Sequence, residues 1–354
     1  YVDEYVYRVA VNTTDALNAG ARMNRGKPGS STHLARVAVE EDNAYHLASP
    51  LEDPWYAARL RADGTNSYSA TLSVDNALVS DTPGRLNVVV GGLTSYRVNP
   101  DHNIRIELNG TQLANVVFDG STAKSLSMDV PPGLLVPGNN TVRVLAPGGT
   151  AAPYDISLVD RVMLQYPRLL RATDDRVLVE GQDASGGLTI DGFTDLDTLA
   201  YAWDGAQLVE LNRHQFGRGS IRVPTLEEDG ADYWLSSVDK VLAPKSISIS
   251  DSIDLLSGTS GDFVIIGHPA FLPISSNESH PLNEFIAARE SEGWDIAVFD
   301  ITEIQREFGG GMPLPQAVTA FLSAADSRFG YEHVLLVGAD SYDYTDKLGL
   351  GSIS

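Results

Sequence analysis

Two carboxylates, Asp340 and Asp343, stand three residues apart in the run Gly338-Ala339-Asp340-Ser341-Tyr342-Asp343-Tyr344, directly after the apolar stretch His333 to Val337. An apolar strand that breaks into such a loop is how a parallel α/β sheet opens its ligand-binding edge. Oxygen ligands at that spacing suit a hard cation such as calcium, or the basic group of a substrate. A second reading is equally open: Asp340 caps the turn and Asp343 is solvated. The candidate edge therefore comprises Gly338, Asp340, Ser341, Tyr342 and Asp343. His268, in "IIGHPAFLP", ends another apolar run, where an imidazole is a general-base candidate. No nucleophile pairs with it by spacing, so a loop-capping role is favoured. Asp191, Asp195 and Asp197 in "DGFTDLD" also offer oxygen ligands, but they lack the spacing of an EF-hand loop, and turn acids are the preferred reading.

Much chemistry is excluded at once. The chain contains no Cys, which removes disulfides, thiolate metal sites and a thiol nucleophile from these 354 residues. None of the seven histidines has a second His four residues away, as a helical zinc pair requires. Neither a nucleophile elbow nor a phosphate-binding Gly-Lys loop is present. Gly309 to Met312, "GGGM", follows a helical pattern and carries no Lys, so it reads as a turn. A net charge of −22 repels phosphate backbones and anionic membrane surfaces, which argues against nucleic-acid partners. No apolar run approaches the roughly 20 residues a spanning helix needs, so membrane insertion is not expected. Carboxylates in this excess suit a solvated surface in salty or extracellular water. The start at Tyr1 rather than Met suggests processing, and secretion or cell-surface display is the expectation. Sequons occur at Asn12, Asn109, Asn139 and Asn277, although Asn109 is better explained by its turn. Trp55, Trp203, Trp234 and Trp294 sit in apolar or alternating runs, and core or inter-module packing is expected of them.

The elements that must position these residues fall into four stretches. Residues 1–68 are mixed: Tyr5, Tyr7, Val9 and Val11 alternate as in a strand, and a polar Gly/Ser stretch follows. Residues 69–167 hold six or seven short alternating runs between turn signals, among them Asn109-Gly110 and Asp119-Gly120, which predicts an antiparallel, jelly-roll-like sandwich. Residues 168–258 continue as a smaller β module with a hairpin signal at Asp204-Gly205. From 259 to 354 the pattern changes. "FVIIGHP" is a continuous apolar run, "PLNEFIAARESEG" has helical spacing through Leu282, Phe285, Ile286 and Arg289, and "WDIAVFDI", "TEIQREF", "PLPQAVTAFLSAADSRFG" and "HVLLVG" follow. In the last helix Val318, Phe321, Leu322 and Ala325 share a face. The order β, α, β, α, β implies a parallel sheet with right-handed crossovers. Open sheets usually hold more than three strands, so this one looks incomplete.

Taken together, "DFVIIGHPAFL", "ARESEGWDIAVFDITEI", "GGGMPLPQAVTAFL" and "EHVLLVGADSYDY" resemble the opening of the catalytic domain in gingipain-like cysteine peptidases. Upstream, "SPLEDPWYAARL", "NIRIELNGTQLANVVFDG" and "GGLTIDGFTDLDTLAYAWDG" are similar to the β modules that precede that domain. The resemblance implies a caspase-like α/β fold, protein or peptide substrates and no required cofactor. It implies a catalytic His and a Cys nucleophile on later strands, and no residue here matches either. Ala339 stands where the family more often has Asp, with Asp340 one position on. The expectation is a non-catalytic region plus the start of a catalytic domain, inactive by itself because His and Cys lie past Ser354. The alternative is a carbohydrate- or surface-binding β-sandwich protein with a vestigial α/β domain.

Overall fold

The computed structural model describes residues 31–51, 53–182, 187–203, 208–216, 219–226, 230–243, 254–257, 259–273, 279–310, 314–338 and 349. The chain divides into two compact units, one within Ala16–Ala243 and the other within Pro244–Ser354. The expected strand at Tyr5 to Val11 lies outside the described residues.

The first unit opens with β1 (Thr32–Glu40), β2 (Ala44–Tyr45), β3 (Trp55–Tyr56), β4 (Ala58–Arg61), β5 (Ser67–Val74), β6 (Gly84–Gly92), β7 (His102–Leu108), β8 (Thr111–Phe118), β9 (Ala123–Val130), β10 (Gly138–Leu145) and β11 (Ile156–Leu169). Among the described residues one sheet runs β1-β11-β6-β9, with β4 also on β11, and a second runs β5-β10-β7-β8. All their pairings are antiparallel. Period-two alternation sends Leu86, Val88 and Val90 of β6 and Ile104, Ile106 and Leu108 of β7 into one core, where all six are fully buried. This is the sandwich the sequence implies, with one correction to its extent. β1 pairs with β11 along its whole length, from Thr32↔Leu169 to Glu40↔Arg161, so the segment before residue 69 supplies strands to the sandwich. Register is long-range, and no local signal in β1 names β11 as its partner.

The turn dipeptides divide. Asn109 (φ 49°) and Gly110 (φ 80°) both adopt positive φ and close the β7–β8 hairpin, as the sequence requires. Asp119-Gly120 does not close a hairpin: only Gly120 has positive φ, and the segment carries the chain from β8 in one sheet to β9 in the other. Asp204-Gly205 lies outside the described residues.

The smaller β module comprises β12 (Arg176–Gln182), β13 (Leu188–Ile190), β14 (Thr198–Trp203), β15 (Leu208–Glu210), β16 (His214–Phe216), β17 (Ser220–Val223) and β18 (Ala231–Ser237). Its sheets run β12-β18-β14-β15 and β13-β17-β16 around a core containing Val179, Ile190, Ala200, Ile221, Tyr233 and Leu235.

The second unit alternates strand and helix: β19 (Phe263–Gly267), α1 (Pro281–Ser291), β20 (Ile296–Asp300), α2 (Ile301–Phe308), α3 (Pro315–Arg328) and β21 (His333–Val337). The sheet is parallel, in the order β20-β19-β21. Each helix start is encoded locally. His280 and Asp300 cap α1 and α2 through side-chain acceptors, and proline occupies the first turn of α1 and α3. Gly293 (φ 99°) ends α1 in the left-handed conformation that glycine adopts without strain. Val264, Ile266, Ala297 and Phe299 of the sheet pack on Ile304, Ala317, Phe321 and Ala325, with Val318 and Leu322 at the margin. Phe299 meets Phe321 edge-on at 4.7 Å.

Candidate functional site

The parallel strands end level with one another. Gly267, the last residue of β19, is in register with Asp300 of β20 on one side and Val337 of β21 on the other. Because the chain leaves β19 for β20 and returns on the opposite side as β21, strand order reverses between β19 and β21. A crevice for a ligand opens at such a reversal, outside the carboxyl ends of the strands. The loops that border it begin at His268 and at Gly338. Gly338 is exposed with φ 138°, a conformation that L side chains rarely adopt. Gly267 is buried, and a Cβ there would lie 2.9 Å from Leu272 Cδ2 and 3.1 Å from Val337 Cβ, so glycine lets the strand ends approach. Asp340, Ser341, Tyr342 and Asp343 lie outside the described residues. Both readings of the two carboxylates, cation or substrate binding and turn capping, stand as the sequence left them.

His268 is placed, and its geometry favours the capping role. It precedes the 3₁₀ turn Pro269–Phe271, and its Nδ1 accepts a hydrogen bond from the Ala270 backbone N–H at 3.1 Å. A lone pair committed to a backbone donor cannot collect a substrate proton. Asp300, on the neighbouring strand end, is likewise engaged: its Oδ1 accepts from the Thr302 backbone N–H at 2.7 Å and hydroxyl at 2.8 Å.

The sandwich holds a Ser/His/Asp constellation that sequence spacing did not reveal, since its members are His102, Asp155 and Ser157. His102 Nδ1 lies 3.0 Å from Asp155 Oδ1 and 3.2 Å from Ser157 Oγ, while Nε2 lies 3.0 Å from the Thr94 carbonyl oxygen. In a hydrolytic triad the serine and the carboxylate hold opposite ring nitrogens. Here they share one, and the other is taken by a main-chain acceptor. The ring is fully buried and stacks on Phe118 at 4.7 Å. Both nitrogens face acceptors, an arrangement that favours the protonated ring. Burial opposes that charge, but the Asp155 hydrogen bond and carboxylate, with the Thr94 carbonyl, outweigh it and raise the pKa above the ordinary 6.5. Glycine at position 92 makes room: a Cβ there would overlap the His102 ring and the Gly120 carbonyl oxygen. This is a buried pin that ties β7 to β11, not a nucleophilic site.

The other candidates resolve into structural roles or surface positions. Asp191 Oδ1 accepts from the Ser220 hydroxyl at 2.5 Å, and Asp195 Oδ1 accepts from the Asp197 backbone N–H at 2.9 Å. No group of three or more metal-ligating side chains converges among the described residues. The Asn109 amide donates to the Leu134 carbonyl and to Asn140 Oδ1, and its oxygen accepts from the Thr141 backbone N–H. Of the other sequons, Asn139 is exposed, and Asn12 and Asn277 lie outside the described residues. Trp55 is buried against Tyr45, and Trp294 packs on His333 at 4.7 Å. Trp203 and Trp234 are 38% and 39% exposed, so neither belongs to the core, and Trp234 instead lines the groove between the two β modules. Alternation explains it: Tyr233 and Leu235 take the inward face of β18, so Trp234 points out.

Comparison with known proteins bears on the α/β end most directly. Residues 256–353 match peptidase family C25, and the gingipain-like resemblance read from the sequence holds for this segment. The crystal structure of dimeric latent PorU from Porphyromonas gingivalis superposes with a TM-score of 0.71 at 12% identity, covering 89% of this chain and 30% of that one. That likeness establishes a shared fold, and this chain spans 30% of the longer one's length. The carbohydrate-binding module CBM36 in complex with calcium and xylotriose is 14% identical, covering 36% of this chain and 98% of its own, with a TM-score of 0.25. The family 35 module from Clostridium thermocellum is 21% identical, covering 38% and 91%, also with a TM-score of 0.25. Among curated proteins, none matches the chain.

Proposed function

We propose that this chain is the part of a secreted or cell-surface gingipain-like cysteine endopeptidase that holds the β modules and the first strands of the catalytic domain. The single observation that carries the proposal beyond family likeness is the condition of β21. It shares a sheet face with Val264 and Ile266, which are fully buried beneath the helices, yet its own Val334 and Leu336 are 37% and 60% exposed. Strands of parallel sheets are normally covered on both faces, and uncovered apolar area costs about 25 cal/mol per Å². An edge strand of this kind suits further strands pairing onward from it, with a helix laid over them.

Those strands would carry the His base and the Cys thiolate that attacks the scissile carbonyl, giving an acyl-enzyme that water then hydrolyses. The loop from Gly338 to Asp343 would border the same crevice and line the substrate's path. Proteins or peptides are the substrates in this reading. The 354 residues contain no Cys and so cannot form a thioester by themselves. No helix among the described residues is long and apolar enough to cross a membrane, which is compatible with export.

Peptide mapping of the native protein by mass spectrometry tests the proposal. Peptides that continue the chain and contain Cys are expected, together with peptide hydrolysis that iodoacetamide abolishes. A native protein ending at Ser354, or hydrolysis indifferent to alkylation, would overturn it.

A further inference from the structure

We propose that the groove where β1 of the sandwich meets β12 and β18 of the smaller module binds a hydroxyl-rich ring, of the size of a mono- or disaccharide. This does not depend on the peptidase reading. The groove encloses a volume of about 530 Å³, within the range of pockets that hold small organic ligands. Its strands belong to one compact unit.

Two residues that line the groove hold buried polar atoms without a hydrogen-bond partner. His33 of β1 is 94% buried by its 6% exposure, and neither ring nitrogen has a hydrogen-bond partner. A buried polar group without a partner is costly, and in native proteins it commonly marks a bound water or ligand. Burial first, and then the charge of Arg168, hold the His33 pKa down to about 4, so the ring is neutral near pH 7. It then offers one donor and one acceptor. Beside it, Arg168 donates through one terminal nitrogen to Asp75 Oδ2 at 3.0 Å, the Arg171 carbonyl at 3.0 Å and Thr173 Oγ1 at 3.2 Å, while its buried Nε–H has no partner. Trp234 and Leu178, in register across β12 and β18, also line the groove and are 39% and 42% exposed, which gives it an apolar part.

These features select among ligands. A simple anion would meet the Asp75 carboxylate among the lining residues, and the guanidinium of Arg36 is already paired with Glu180 at 3.2 Å. A purely apolar ligand leaves His33 and the Arg168 Nε–H unsatisfied. A hydroxyl both donates and accepts at one atom, which is what a neutral imidazole, a guanidinium N–H and a carboxylate together require. The C–H face of a sugar ring is flat and apolar, and an exposed indole is its natural support.

The test is isothermal titration calorimetry with ligand-observed saturation-transfer NMR on the whole chain. The panel is maltose, cellobiose, xylobiose, chitobiose and digalacturonate, with glutarate as the anion control. At least one disaccharide is expected to bind. Trp234→Ala should weaken that binding about tenfold, the worth of one stacked aromatic face. His33→Leu should weaken it at least as much. Should His33→Leu fail to fold, Trp234→Ala and Leu178→Asp, both at exposed positions, carry the test. Absence of binding by every sugar overturns the proposal. So does binding undiminished in Trp234→Ala, or glutarate binding as tightly as the best sugar.

Discussion

Two buried histidines in the same compact unit are treated in opposite ways. His102, inside the sandwich, has both ring nitrogens hydrogen-bonded and a carboxylate beside it. His33, where the sandwich meets the smaller module, has neither nitrogen satisfied and a guanidinium beside it. The pKa of the first is raised and that of the second lowered, although both are removed from water. Burial alone therefore does not decide a histidine's state; the sign of its nearest fixed charge and the supply of acceptors do. The difference also separates two purposes. A fully satisfied polar cluster adds rigidity and leaves nothing for a ligand, whereas an unsatisfied one is open to a partner from outside.

The strongest way to break the contrast is Asp155→Ala, which strips His102 of its counter-charge and also removes the acceptor used by the Asn103 backbone N–H and the Ser157 hydroxyl. Leaving one partner of a buried pair alone costs about 3–5 kcal/mol, and denaturant unfolding should show a loss of that size. Arg168→Met is expected to cost less, about 1.5–3 kcal/mol, because it removes charged hydrogen bonds to Asp75 and Thr173 at a site that is less deeply buried. It also removes a charge that lowers the His33 pKa, so NMR titration should find that pKa nearer 6.5 in the variant.

The acid and alkaline limbs of stability should differ in origin. Between pH 6.5 and about 4 the unfolded chain protonates His33 while the folded chain does not, so stability falls as pH falls through that window. His102 acts in the other direction, because its raised pKa gives stability that is complete below 6.5 and is lost as pH rises through the folded value. Melting temperatures of His33→Leu across pH should lose the acid-side contribution and keep the alkaline one, with a change within about 1 kcal/mol at pH 7. A variant with an unchanged acid limb would show that other groups set it. The smallest effect is expected at the uncovered strand. Leu336→Ser on β21 should change the stability of this chain by no more than about 0.5 kcal/mol, since Leu336 is 60% exposed. A large loss would mean that β21 is already covered, and would remove the support it gives to further strands.

Local physics was legible. Alternation in Leu86 to Val90, the continuous apolar run at Phe263 to Gly267, the Asn109-Gly110 turn and the proline at the start of α3 each follow from forces acting within a few residues. The α/β end and its carboxyl edge at Gly338 were readable for the same reason, as was the resemblance to the gingipain family. Alternation also states that a strand has two faces, without stating which one the rest of the chain will cover, so core and inter-module packing both stayed open for Trp234.

What the sequence determined by itself was the kind of each element, the charge of the surface and the absence of a thiol. Only the tertiary structure decided that β1 joins β11, that His102 is pinned by a carboxylate 53 residues away, and that His33, Arg168 and Trp234 converge on one groove. The physical reason is that strand partnership and desolvation depend on contacts distant along the chain. A residue's neighbours in sequence fix its conformation, whereas its neighbours in space fix its charge and its use.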